Sequence, residues 1–200
     1  MTAQPVEPTP QAAYHQLRDL ADEITDTADR RGTRVRADIA DQRINVIVMS
    51  PSTRHGRIVS MLTVQIEGQD EQAVTMAETR VEHPGLGLCR TADLLAMSQE
   101  AFDAQDDDAA AFAPTVDLAV EVVSKSNPGN DYVAKLRDYP RMGVPAYAII
   151  DPRDGTISVH TDPDTLSGEP QYRTNRRYVF GDKVSMGRWL VDTARFPRYR

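Results

Sequence analysis

The sequence predicts an α/β fold, a mixed central sheet flanked by helices, and three observations carry that prediction. Thr115–Val123 (TVDLAVEVV) is a nearly unbroken strand signal, followed by a helical stretch over 131–142 and the apolar run Val144–Ile150 (VPAYAII). That order forms a βαβ unit, whose strands run parallel with a right-handed crossover. Upstream, Ile58, Leu62 and Ile66 recur every four residues, one face of a helix. Two hairpins are read as well, one across Asp41-Gln42-Arg43 and one across Asp151–Gly155.

In chain order, residues 1–10 read as a Pro-rich tail and 11–200 as a single domain. Leu17, Leu20 and Ile24 sit at helical spacing within 11–30, and Gly32 ends that helix. TRVRADIA and RINVIVMS flank Asp41-Gln42-Arg43 and predict a hairpin. Ser52 or Thr53 can cap a helix over 54–67. Residues 72–82 and 86–97 are strand-like, whereas the acidic run in 99–113 reads as a solvated loop or short surface helix. Asn130 is a candidate cap for helix 131–142, Pro140 should tighten its last turn, and Gly143 should stop it. Asp151-Pro152-Arg153-Asp154-Gly155 is a turn, and 156–160, 171–180 and 183–192 close the chain as strands.

Composition narrows the function classes. No stretch approaches the roughly 18 apolar residues needed to cross a membrane, and MTAQPVEPTPQ has neither the basic start nor the apolar run of a secretory signal. The single Cys89 cannot form an internal disulfide, so the expectation is the cytoplasm. The net charge of −7 argues against a general polyanion binder. Yet residues 171–200 carry eight Arg and Lys against Asp182 and Asp192, a net of +6 that leaves −13 on the rest. This basic segment either contacts nucleic acid or pairs with the acidic body.

The chemistry concentrates in two strands. Asp117 and Glu121 are four apart on one predicted strand and so share a face, with Val116, Leu118, Val120 and Val122 on the other. A carboxylate in so apolar a strand is costly unless it is paired or binds a metal, so Glu121 either meets a buried cationic side chain or ligates. Asp93 interrupts its own apolar strand in the same way. Acids on adjacent strands about 5 Å apart could share one hard cation, Mg²⁺ or Mn²⁺. Lys135, one turn into the following helix, and Lys125, four residues after Glu121, compete as the ammonium near a phosphate. Ser124 and Ser126 could donate to a phosphate or act as local caps. The four histidines and Cys89 show no zinc-ligand spacing, and Gly85-Leu86-Gly87 lacks the spacing of a dinucleotide fingerprint. Tyr139 shares the face of Lys135, with core packing as its expected role.

VDLAVEVVSKSNPGNDYVAKLRDYPRMGVPAYAIIDPRDGTISVH resembles the Uma2 family of bacterial restriction endonucleases. RADIADQRINVIVMSPSTRHGRIV is similar to that family's N-terminal hairpin and His, and CRTADLLAM to its first Pro-Asp strand; the resemblance spans roughly 34–190. It implies a restriction-endonuclease-like PD-(D/E)XK core and metal-dependent phosphodiester hydrolysis of DNA. Carried over by position, Asp93 is the motif Asp, Glu121 the motif acid, Lys135 a migrated Lys, and His55 the family His. Asp117 is the less secure second acid, because Val116 stands where Pro often precedes it. Ala92 replaces the Pro before Asp93, and Val123 occupies the Lys position of E-x-K. The last departure keeps open a non-catalytic binding or assembly module with the same fold. A homodimer and hydrolysis of a small phosphorylated substrate also stay open.

Overall fold

The computed structural model describes residues 10–49, 52–106, 110–124, 129–164 and 169–200. The chain divides into two compact units, Met1–Ser50 with Glu82–Thr91, and Pro51–Val81 with Ala92–Arg200. Among the described residues no helix is long and apolar enough to cross a membrane.

The first unit holds helix α1 (Pro10–Arg30) and the hairpin β1 (Val35–Ala40) and β2 (Arg43–Val48). Ala40 pairs with Arg43, so Asp41 and Gln42 form the whole turn, both at positive φ (51° and 57°). That two-residue geometry matches the right-handed twist of the flanking strands. The α1 face that packs here is Tyr14, Leu17 and Ala21, against Ala37, Ile39 and Cys89. Leu20, expected inward from its spacing, is 47% exposed. Tyr14 and Ala21 define the buried stripe instead, because a small residue lets the helix approach the hairpin.

In the second unit, α2 (Thr53–Glu67) starts at Ser52, whose hydroxyl accepts the His55 amide. Strand β3 (Ala73–His83) leads through a tight turn at Pro84–Leu86 into β4 (Leu88–Ser98), which runs from the first unit into the second. Pro84 lacks an N–H and Gly87 is left-handed (φ 67°), so the strand begins at Leu88 rather than Leu86. A short helix α3 (Gln99–Asp103) and strand β5 (Ala111–Phe112) follow. A second tight turn, Ala113–Thr115, holds Pro114 and shortens the next strand to β6 (Leu118–Val122).

Helix 131–142 is where local structure departs most from expectation. Asn130–Lys135 is π-helical, and only Leu136–Arg141 (α4) is α-helical. The cap position falls on Gly129, which has no side chain to cap with, rather than on Asn130, the first residue of the stretch. Such wide turns are rare and cluster at functional sites; this one brings both Asp131 and Lys135 inward. Gly143, at φ 83°, stops the helix as predicted. Strands β7 (Ala146–Asp151), β8 (Thr156–Asp164) and β9 (Gln171–Val179) complete the sheet, and β10 (Lys183–Met186) with β11 (Trp189–Asp192) forms a separate hairpin.

Here β4 pairs antiparallel with β6, β6 parallel with β7, and β7–β8 and β8–β9 antiparallel. The sheet is therefore mixed, and the βαβ unit read from the sequence is present. Its faces differ sharply. Leu94, Ala96, Leu118, Val120, Val122, Ala148 and Ile150 pack with Ile58, Leu62 and Ile66 of α2 and with Val184, Met186, Trp189 and Val191 of the hairpin. Each buried Leu, Ile, Val or Met among them contributes about 1.5–3 kcal/mol by leaving water, and Leu62→Ala would cost about 2–5 kcal/mol. The opposite face carries the ionisable groups.

Candidate active site

The Asp93–Glu121 pairing follows from strand register. Leu94 pairs with Val120 on the apolar face; one step further places Asp93 beside Glu121, on the other face. At that step Asp93 Oδ2 accepts the Val122 amide at 2.8 Å, so the carboxylate itself takes a strand donor. Both acids are almost fully buried, at 3% and 1% exposure.

Three elements converge on the two carboxylates. Lys135 Nζ, itself 1% exposed, lies 2.7 Å from Glu121 Oε2 and 3.7 Å from Asp131 Oδ1. The Tyr139 hydroxyl, one helical turn beyond Lys135, points at Glu121 Oε1 from 3.4 Å. Tyr147 of β7 packs its ring on Tyr139 and donates to the Asp131 carbonyl at 3.0 Å, which pins the π-helical turn to the sheet. From the start of α2, His55 Nε2 reaches Asp93 Oδ2 at 3.5 Å. Ser52 thus both caps the helix and fixes the backbone that carries His55.

Residues 193–200 supply a further group. The Tyr199 amide donates to the Pro152 carbonyl and Arg54 donates to the Arg198 carbonyl, while the Arg198 guanidinium lies over Gly155, where a Cβ would clash with it. So held, the half-buried Tyr199 phenol is raised by burial; a hydrogen bond with Ser52 opposes this, and the charges of Asp93, Asp151 and Asp131 push it higher. Next to it, burial raises the Asp151 carboxyl, but hydrogen bonds from Arg153 and Tyr132 outweigh that and hold it below the ordinary range.

The predicted residues thus divide. Asp93, Glu121, Lys135 and His55 come together; Asp117 does not. It precedes β6, about 13 Å along the strand from Glu121, and pairs with Arg188 at 3.3 Å. Burial and the Asp70 carboxylate raise its carboxyl, and Arg188 opposes them. Lys125 and Ser126 lie outside the described residues. Sequence reasoning passed over Asp131 and Tyr199 and gave Tyr139 a packing role only. Asp131 and Tyr139 each stand four residues from Lys135, a spacing that could have placed them; nothing local marks Tyr199.

Among the described residues no group of three or more His, Cys, Asp or Glu forms a metal cage. The donor set at Asp93 and Glu121 is two buried carboxylates. That fits a hard divalent cation of the kind that takes one or two protein carboxylates and completes its shell with water and phosphate.

A mixed sheet with paired acids and a helix-borne Lys on one face is the architecture of a PD-(D/E)XK-type nuclease core. The Uma2 profile, described as "Putative restriction endonuclease", matches residues 11–190. The chain belongs to the Uma2 family. Its fold is similar to a crystal structure described as a "putative nuclease belonging to DUF820" from Anabaena variabilis ATCC 29413, with a TM-score of 0.56, 14% identity, and coverage of 75% of this chain and 80% of that one. No curated protein matches in sequence.

Proposed function

We propose that this protein is a metal-dependent endonuclease that hydrolyses phosphodiester bonds in DNA. The observation that carries the reading is the convergence of Asp93 and Glu121 from adjacent strands, with the Lys135 ammonium at 2.7 Å from Glu121. Mg²⁺ or Mn²⁺ held by these acids would polarise a phosphoryl oxygen and lower the pKa of the attacking water. Lys135 lies where it can offset charge developing on a bound phosphate. Asp131 and Tyr139 keep the ammonium and Glu121 in fixed positions, so little reorganisation is needed when substrate arrives. His55 is placed to exchange a proton or hydrogen bond at Asp93. Val123, at the standard Lys position, is fully buried and apolar; Lys135 reaches Glu121 from the helix instead, which weakens the motive for a non-catalytic reading.

The test is nicking of supercoiled plasmid and cleavage of single-stranded DNA with Mg²⁺, Mn²⁺ or EDTA. Cleavage should require the metal and disappear in Glu121→Gln that stays folded by circular dichroism. A folded wild type that cuts neither substrate with either metal overturns the reading.

A further inference from the structure

The basic segment 171–200 splits in two in the structure. Arg173 pairs with Asp164, and Arg188 pairs with Asp70 and Asp117 while lying over the Trp189 ring. These cations serve the protein's own acids. Arg177 and Asn175 differ: among the described residues neither side chain has a hydrogen-bond or ion-pair partner. Both line a cleft of 680 Å³ together with Tyr132, Leu136, Ser158 and His160. That volume falls within the range of small-ligand sites.

Strand register explains why these polar groups converge. Ser158 pairs with Arg177, and His160 with Asn175. Residues two apart on a strand share a face, and directly opposed ones bring their Cβ atoms to about 5 Å, so the four form one polar patch. His160 Nε2 lies 3.2 Å from the Ser158 hydroxyl. Burial, and then the Arg177 charge, lower the His160 pKa. Two further facts join the patch to the candidate active site. His160 pairs with Tyr147, whose hydroxyl holds Asp131, so the patch lies on the same sheet face as Glu121. Tyr132, which walls the cleft, is the residue after Asp131 and donates to Asp151 at 2.9 Å. Asp154 and Asp182 also line the cleft, but each accepts hydrogen bonds within its own turn, near the Thr156–Val179 pair. Their charges lie away from Arg177, which pairs with Ser158 two residues along the strand.

We propose that this cleft holds a phosphate of the nucleic-acid strand on one side of the cut, with Arg177 and Asn175 as donors. The inference rests on the nuclease reading for the identity of the strand and adds where that strand runs. Arg suits the role, since its planar fork binds phosphate oxygens in pairs, and the patch needs only side chains already in place.

The test measures binding apart from cleavage. A fluorescein-labelled single-stranded DNA dodecamer is titrated in EDTA against wild type, Arg177→Gln, Asn175→Ala and, as control, Arg188→Gln. Arg177→Gln should raise Kd about tenfold and reduce the salt slope by about one. The control should bind like wild type, and the NMR resonances of His160 should move as the strand is added. In cleavage assays Arg177→Gln should raise KM more than it lowers kcat. Wild-type affinity and KM in Arg177→Gln overturn the cleft while leaving the nuclease reading intact. Arg177-dependent binding with no cleavage under either metal overturns the nuclease reading and supports the cleft. Failure of the wild type to bind the strand, or displacement of the strand by micromolar dTMP, overturns the assignment to a strand phosphate.

Discussion

Two buried ion pairs, one in each compact unit, look alike by burial and differ in company. Asp38 and Arg90 are 1% and 2% exposed, and Asp38 also takes the Thr91 amide at 3.0 Å. Glu121 and Lys135 are equally buried, but they stand with Asp93, Asp131, His55 and Tyr139. The first joins a carboxylate to a guanidinium and an amide, the arrangement that satisfies a charge inside a protein. The second gathers several carboxylates on one face around a single ammonium, so that like charges lie close together. Burial of a charge is common to both pairs; the proposed site rests on the convergence of like charges, which only the second has.

The sharpest way to break this comparison is activity. Glu121→Gln should lower cleavage at least about a hundredfold, whereas Asp38→Asn should leave the rate per folded molecule unchanged; plasmid nicking normalised to folded protein decides. Equal losses in both would erase the distinction. Stability comes next and runs the other way. Asp38→Ala takes the Asp38 carboxylate away from a buried guanidinium and should cost about 3–5 kcal/mol in urea unfolding. Removing both charges together, in Glu121→Gln/Lys135→Met, should change stability by less than about 2 kcal/mol or raise it.

A smaller effect probes the edge of the site. Tyr199→Phe keeps the ring but removes the hydroxyl that meets Ser52, and should reduce kcat/KM about three- to tenfold, the value of one hydrogen bond; an unchanged rate would confine residues 193–200 to packing. The smallest effect is one of pH. Because the Asp151 carboxyl is held below its ordinary value, it contributes stability above the unfolded value of about 3.9 and loses it as pH falls through its lower folded value. Wild type should therefore exceed Asp151→Asn in urea midpoint at pH 7, and the gap should close below about pH 4. A gap that widened in acid would reverse the sign assigned to Asp151.

Much of the fold could be read locally. The βαβ unit, the hairpin closed at Asp41-Gln42 and the Ser52 cap each depend on neighbours within a few residues, where periodicity and turn chemistry act directly. Strand ends slipped where Pro84 and Pro114 imposed tight turns, and the π-helical stretch at Asn130–Lys135 had no local signal. In the site, Asp93 and Glu121 stood out because a carboxylate is costly in an apolar strand. Asp117 met the same rule and proved to be a strand-end acid paired with Arg188. Alternation assigns a face but does not say how far along the strand the chemistry lies.

Residue order alone determined the sequence of helices and strands, the parallel pairing of β6 with β7, and which acids face away from the core, because these follow from the 3.6- and 2-residue periods. Only the tertiary structure decided that Lys135 meets Glu121, that Asp131 turns inward, that Tyr199 comes within reach of Ser52, and that among the described residues Arg177 has no ion-pair partner while Arg173 and Arg188 do. Those outcomes depend on strand register and on contacts between residues up to 147 positions apart. A local pattern carries no information about such distances.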